Sequence, residues 1–270
     1  MAVTGVEYRR IEVPAGLRGV VEHVWISRQA GGPSDTEVLL PDGRGVVLLT
    51  AGAPGALLDP LTGGRTPDTS ALRGPWTHAL LRQQPEAGVR LGVQLHPLAP
   101  ARLRAGRPAA DVSVPLDELL AATAAQAGAA LAAGDDETAA GLLLGGLRGL
   151  PVERSADLDR MDDVVAMVDE RRGLVRAVDL ASYAGVQLAE LHRWCVALLG
   201  MSPSAYLSAV RFAAFVREHV GSGPVRVGAA VAALRWFQDP AYPPREVQRF
   251  TGLAPADLRR LVESLERLGT

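Results

Sequence analysis

The chain of 270 residues contains no lysine, a single cysteine (Cys195) and only 4% aromatic residues. One cysteine excludes an intrachain disulfide and a cysteine-rich zinc site. The absence of lysine excludes the glycine-rich phosphate loop that ends in lysine. No apolar run reaches the roughly 18 residues of a spanning helix, and the opening MAVTGVEYRR lacks the apolar segment of a signal peptide. These absences predict a cytoplasmic protein that does not enter a membrane.

The net charge of −2 is unevenly distributed. Residues 101–170 carry thirteen acidic residues against six arginines, whereas residues 171–260 carry twelve arginines against six acidic residues. A local excess of arginine favours an anionic partner such as nucleic acid, and arginine suits bidentate contacts with phosphate and guanine. Ordinary variation of a solvated surface is the alternative interpretation.

The first 115 residues have a β pattern. VVEHVWISR (20–28) alternates in part and is rich in β-branched and aromatic residues, and GVRLGVQLHPLAP (88–100) predicts a further strand or pair. TEVLLPDGRGVVLLTAG (36–52) consists of two apolar runs around Pro-Asp-Gly-Arg-Gly, which predicts a hairpin. Short strands separated by regular turns are typical of a barrel or sandwich.

Helical patterns replace strands after Pro115. Two helices are predicted between residues 116 and 153, the second capped by Asp135 or Asp136. From 156 to 173, apolar residues recur at i, i+3 and i+4, and Gly173 closes the helix. The sequence therefore predicts an α+β protein, with a β-barrel or sandwich-like domain followed by an all-α domain.

RAVDLASYAGVQLAELHRWCVALLGMSPSAYLSAVRF (176–212) has the pattern of a helix-turn-helix. A short helix runs from Val178 to Ala184, Gly185 allows a sharp turn, and a second helix begins near Gln187 and ends at Gly200. Trp194, Cys195 and Tyr206 are predicted to be core residues.

This stretch resembles the AraC/XylS family of bacterial transcription regulators. The matching elements are Ala181, Gly185-Val186, Leu191-His192-Arg193-Trp194, Gly200-Met201-Ser202-Pro203, and Tyr206 with Arg211. AAVAALRWFQDPAYPPREVQRFTGLAPADLRR (229–260) is similar to the second helix-turn-helix of the family, and the resemblance covers roughly residues 155–265. It implies an all-α DNA-binding domain with two helix-turn-helix units.

The N-terminal part is similar to the β-rich, cupin-like sensor half that precedes such DNA-binding halves. The resemblance rests on VEHVW, LLPDGRGVVLL, GVQLHPLAPARLRAG and DVSVPLDEL. We therefore expect a sensor or dimerisation domain at 1–115, a helical connector at 116–153 and the DNA-binding domain at 154–270.

Early exposed positions of the first recognition helix are expected to face base edges. Arg193 is expected to bind guanine or, alternatively, to form a salt bridge with Glu190, and an apolar side chain such as Leu188 offers contact to a thymine methyl. The candidate phosphate contacts are Arg171, Arg172, Arg176, Arg211 and Arg217. The candidate base-reading residues are Gln187, Leu188, Ala189, His192 and Arg193.

The second unit departs from the family pattern, because Trp236 occupies the usual glycine position of the turn. Its recognition helix either starts at Pro240 with an irregular first turn or starts late, at Pro243 or Pro244, since proline disrupts a helix interior. A late start leaves about two turns, with Arg245 and Arg249 on one face. Gln238, Tyr242, Arg245 and Arg249 are the candidate DNA contacts of this unit.

An effector pocket is predicted from His23, Trp25, Trp76 and His96, although core packing or turn positions account for the same pattern. The histidines are scattered, so neither a metal nor a cofactor is expected, and no nucleophile elbow indicates an enzyme. The favoured prediction is a regulator that binds double-stranded promoter DNA and responds to a small-molecule effector or self-association as a homodimer. The alternative is an effector-binding or protein-interaction module with a degenerate second helix-turn-helix and little autonomous DNA reading.

Overall fold

A computed structural model of the chain describes residues 6–17, 19–29, 36–84, 87–103, 110–221, 223–239, 243–251 and 253–268. Within them, strands dominate up to Pro115 and helices follow. The strands are β1 (Val6–Ile11), β2 (Val21–Gln29), β3 (Glu37–Leu39), β4 (Val46–Gly52), β5 (Gly55–Leu58), β6 (Arg65–Asp68), β7 (Ala71–Arg73), β8 (Leu80–Gln83), β9 (Gly88–Leu95), β10 (Ser113–Pro115) and β11 (Val225–Arg226). The α-helices are α1 (Ala99–Arg102), α2 (Leu116–Ala132), α3 (Asp136–Arg148), α4 (Ala156–Glu170), α5 (Ala177–Tyr183), α6 (Leu188–Trp194), α7 (Pro203–Val220), α8 (Val227–Arg235), α9 (Pro244–Thr251) and α10 (Pro255–Leu268).

The strands form two antiparallel sheets, so the predicted α+β class is confirmed. The six-stranded sheet has the order β1-β2-β9-β4-β7-β10, and the five-stranded sheet has the order β11-β3-β8-β5-β6. The hairpin predicted over 36–52 is wrong, because β3 pairs with β8 and β11 whereas β4 pairs with β7 and β9. The Pro-Asp-Gly-Arg-Gly segment thus connects two sheets instead of turning within one.

Polar side chains cap the starts of two helices, and the predicted cap at Asp135 is confirmed. The Asp135 side chain accepts a hydrogen bond from the Thr138 amide at 3.1 Å at the start of α3, and Ser155 caps α4 in the same way through the Leu158 amide at 3.2 Å. Gly200 has φ +76° where the helical segment after α6 ends, a conformation that suits glycine.

Three hydrophobic cores hold the described residues together. The first lies between the six-stranded sheet and helices α2 and α3. The second, the helical core, joins α4, α5, α6 and the first half of α7, and includes Trp194, Cys195 and Tyr206 as predicted. The third, the shared core, joins α8, α9, α10 and the end of α7 to the five-stranded sheet through Val38, Leu40, Ala79 and Leu81. The division into domains at 115 and 153 stays a prediction, and the shared core includes residues from both sides of it.

Candidate DNA-contacting face and cavity

The first helix-turn-helix consists of α5 and α6. The connecting Gly185 has φ +68°, and a Cβ there would meet nothing within 4 Å, so the backbone conformation and not lack of space requires glycine. The Val186 amide donates to the Ala181 carbonyl at 3.0 Å, which closes the turn. Leu180 and Leu191 are buried in the helical core, so the opposite side of α6 faces outward.

The predicted reading residues lie together on that outward side. The side chains of Gln187, Leu188, Ala189, His192 and Arg193 are all exposed, and Leu188 retains 47% of its accessible surface. Within the described part of the chain Arg193 forms no ion pair, so the expected alternative of a salt bridge with Glu190 is not observed. The face combines free hydrogen-bonding groups with an exposed aliphatic side chain, which are the group types that read base edges.

Arg211 on α7 has different surroundings. It is half-buried, its Nη2 donates to Ser208 Oγ at 3.1 Å, and its Nε is buried without a partner among the described residues. Burial, and next the charge of Arg249, lowers its pKa. A contact with phosphate would therefore require Arg211 to move outward.

The second helix-turn-helix has an irregular middle. After α8, a single 3-10 turn covers Trp236–Gln238, and α9 begins at Pro244. The predicted late start of the helix is confirmed. Proline suits this position, because the first turn of a helix does not need the amide donor that proline lacks. Trp236 retains 58% of its accessible surface at the position where the first unit has its glycine.

The candidate residues of this second unit are partly placed. Arg245 and Arg249 are exposed on α9, and Arg249 Nη1 lies 3.5 Å from Glu246 Oε2. Gln238 belongs to the 3-10 turn, but its side chain and all of Tyr242 lie outside the described residues. Among the described residues, the second unit thus exposes two arginines on a helix of about two turns.

A cavity of about 490 Å³ lies between the two sheets and α7. His23, Trp25 and Trp76 line it, and so do the candidate phosphate contacts Arg172 and Arg217. His96 is not in its lining, because its Nε2 faces Asp162 at 3.9 Å. Burial, followed by the charges of Arg10 and Arg217, lowers the pKa of His23 to about 4, so this imidazole is neutral at pH 7.

Sequence reasoning missed the contacts that the segment around Arg44 makes with β2, α4 and α7. Arg44 Nε donates to Glu22 Oε2 at 2.6 Å, and Arg44 Nη2 donates to Asp169 Oδ2 at 2.7 Å. Gly43 has φ +75°, and a Cβ there would lie 2.5 Å from Cε2 of Tyr206. The Pro-Asp-Gly-Arg-Gly segment therefore contacts the helical half through Arg44 and Gly43. The two glycines on either side of an arginine were the feature of the sequence that could have indicated this contact.

A second connection is made by the backbone. The two residues of β11 pair antiparallel with β3, Val225 opposite Val38 and Arg226 opposite Glu37. Because α8 follows β11 directly, the second helix-turn-helix starts from the edge of the five-stranded sheet.

The described residues thus form two sheets followed by two helix-turn-helix units. No protein-family model matches the chain, and no curated protein matches it.

Solved structures do match. A ToxT structure from Vibrio cholerae is 10% identical over 89% of this chain and 93% of its own, with a TM-score of 0.41. Wild-type ToxT from strain SCE256 bound to an unsaturated fatty acid is 10% identical over 86% and 97%, with a TM-score of 0.42. The AraC-like transcriptional activator CuxR is 12% identical over 96% and 80%, with a TM-score of 0.17.

No single helix among the described residues is long and apolar enough to cross a membrane. One pair bent by 62°, Leu188–Leu199 with Pro203–Val220, meets the same criteria of length and composition.

Proposed function

We propose that the chain is a sequence-specific DNA-binding transcription regulator. The observation that carries the proposal is the outward face formed by α6 and Gln187, the residue that precedes it. Leu191 anchors the helix in the core, and the exposed residues of the face are Gln187, Leu188, Ala189, His192 and Arg193. The helix thus presents base-reading groups from a fixed position. The net charge of +6 over residues 171–260 supports attraction to DNA phosphates.

The two units contribute unequally in this proposal. Arg193 on α6 and Gln187 at its N-cap are the base-reading residues. Arg245 and Arg249 on the shortened α9 contact phosphates. Gln238 and Tyr242 remain candidate contacts of the second unit. Arg211 joins the phosphate contacts only if its half-buried side chain turns outward.

The cavity is the proposed effector site. It borders both sheets and α7, so a molecule that fills it contacts the β-rich half and the DNA-binding half at once. Such a ligand shifts the population between arrangements of α4 and α7 in which the contacts of Arg44 with Asp169 and of Gly43 with Tyr206 are kept or broken. His23, Trp25 and Trp76 are the effector-contacting candidates that lie there. A homodimer and a cytoplasmic location are part of the proposal.

The test begins with selection of a binding site from a random DNA pool. Arg193→Ala is expected to weaken binding to that site by about five- to 150-fold, the equivalent of about 1–3 kcal/mol for one good base contact. Binding to random DNA is expected to change much less. Arg259→Ala, at an exposed position on α10, is the matched control.

Equal losses on both DNAs would assign Arg193 to phosphate instead of base. Absence of DNA binding at low salt would overturn the proposal. It would favour the second candidate, an effector-binding or interaction module, which the late start of α9 at Pro244 supports.

A further inference from the structure

An excess of buried positive charge lies between the two sheets. Arg73 on β7 and Arg90 on β9 belong to the six-stranded sheet, and they meet Arg82, Asp68 and Glu37 of the five-stranded sheet. The three arginine side chains keep 2%, 4% and 8% of their accessible surface, for Arg73, Arg82 and Arg90 respectively. Three guanidinium groups thus face two carboxylates.

The ion pairs leave Arg73 incompletely satisfied. Its Nη2 lies 2.5 Å from Asp68 Oδ1 and 3.0 Å from the Thr69 carbonyl oxygen. Its Nε and Nη1, and Nη1 of Arg90, are buried with no hydrogen-bond partner among the described residues. Arg82 takes the better share of the carboxylates, with Nε 2.8 Å from Asp68 Oδ2 and Nη1 3.2 Å from Glu37 Oε2.

Burying a charge without a counter-charge costs free energy, so a bound anion would stabilise this cluster. Burial, and next the neighbouring Arg82, lowers the pKa of Arg90 to about 10, which leaves Arg90 protonated at pH 7. A water molecule would satisfy a donor but would not neutralise the excess charge. One negative charge balances the five residues, whereas a dianion would overcompensate them.

The cluster forms part of the cavity already described. Arg73, Arg82 and Glu37 line it together with three aromatic side chains, Tyr8, Trp25 and Trp76. Trp25 covers Gly92 on the neighbouring strand, where a Cβ would lie 2.2 Å from its ring, and Tyr8 stacks on Trp25 with ring centroids 6.1 Å apart. The lining therefore combines flat apolar surfaces with an unneutralised guanidinium group.

We propose that Arg73, with Arg82 beside it, anchors the carboxylate of a monoanionic ligand whose aromatic part lies against Trp25 and Trp76. The inference deepens the effector part of the proposed function by naming the chemical class of the ligand. Charge-assisted hydrogen bonds from the free donors of Arg73 supply the orientation. A slight opening of the side chains around Arg73 accompanies binding, because its free nitrogens are covered in the structure.

The experiment uses the full-length chain without DNA, with thermal unfolding and calorimetry as readouts. Phenylacetate is the probe, phenylacetamide is its neutral isostere, and inorganic phosphate represents a simple counter-ion. Phenylacetate is expected to raise Tm and bind measurably, whereas phenylacetamide and phosphate are not. Because no DNA is present, failure of DNA binding and failure of this inference are separate results.

Three variants locate the site. Arg73→Met is expected to weaken phenylacetate binding by about ten- to a hundredfold, since hydrogen bonds to charged groups contribute about 1.5–3 kcal/mol. Arg90→Met is also expected to weaken binding, because it removes the excess positive charge that the carboxylate would balance. Arg90→Met removes the excess charge and is expected to keep or raise the Tm of the ligand-free protein, so it remains informative if Arg73→Met does not fold. Arg65→Met, at an exposed position on β6, is the matched control and is expected to bind as the wild type does.

Three outcomes would overturn the proposal. If phenylacetamide bound as tightly as phenylacetate, the site would not recognise the carboxylate of the ligand. Unchanged phenylacetate binding in Arg90→Met would show that the excess charge of the arginine cluster does not contribute to ligand binding. Stabilisation by phosphate equal to that by phenylacetate would reduce the site to a counter-ion position.

Discussion

The two helix-turn-helix units are built on different cores. The first, α5 and α6, packs within the helical core, turns at Gly185 and exposes a run of side chains suited to base reading. The second, α8 and α9, packs within the shared core, which also contains residues of the five-stranded sheet. Its turn carries an exposed Trp236, and α9 does not start until Pro244. We infer a division of labour, in which the first unit reads DNA and the second connects the reading half to the sheets.

The largest expected effect comes from the shared core. Leu81→Ala is expected to destabilise the protein by about 2–5 kcal/mol, because a fully buried leucine leaves a cavity that the surroundings fill only in part. Since Leu81 lies on β8 but packs in the core of the second unit, amide hydrogen exchange is expected to accelerate in α8 and α10 as well as in β8.

Leu158→Ala in α4 is the matched change in the helical core. It is expected to accelerate exchange in α5 and α6 more than in α8 and α10. If Leu81→Ala left α8 and α10 as protected as in the wild type, the second unit would not depend on the sheet and the comparison would fail.

A smaller effect is expected where the β-rich half meets Tyr206. Gly43→Ala combines an unfavourable positive φ with a contact at 2.5 Å, so we expect a loss of about 3 kcal/mol in the free energy of unfolding. Gly63→Ala is the control, because Gly63 also has φ +75° but open space around its Cα. The Gly63→Ala variant measures the cost of a positive φ alone, which is expected to lower the free energy of unfolding by about 1 kcal/mol.

Chemical denaturation of both variants gives the difference directly. Equal losses would show that Tyr206 yields to the added methyl group. The first unit would then be less firmly attached to the β-rich half than the second.

The smallest effect is expected on DNA binding by the second unit. Arg245→Ala is expected to reduce the slope of log affinity against log salt by about one, with equal losses on the selected site and on random DNA. Fluorescence anisotropy over a salt series measures both quantities. A loss confined to the selected site would make α9 a base reader and reverse the division of labour between the units.

Local features were predictable because their causes are local. Gly185 and Gly200 adopt the positive φ that their places in the pattern require, and Ser155 caps α4 through the amide three residues ahead. Pro244 begins α9 because proline suits a first helical turn. In each case the deciding interaction lies within a few residues of the chain.

Long-range pairing was not predictable in the same way. The apolar runs on either side of Pro-Asp-Gly-Arg-Gly are compatible with a hairpin, but their partners, β8 for one and β9 for the other, are set by distant segments. The pairing of Arg44 with Asp169 and the meeting of Arg73, Arg82 and Arg90 depend on how sheets and helices stack. A single sequence carries no local signal for the ion pair or for the cluster, since the sequence around a buried arginine does not differ from that around a surface arginine.

The pairing of β11 with β3 has a consequence for synthesis of the chain. The edge of β3 that receives Val225 and Arg226 is made early, whereas its partner leaves the ribosome only after α7 has been completed. Until then the five-stranded sheet has an unpaired edge, which is a surface prone to association with other strands. A contact between such distant segments forms slowly. The sheet therefore cannot join the second helix-turn-helix until residues 225 and 226 have been made, and a chain that stops before residue 225 would be left with that edge open.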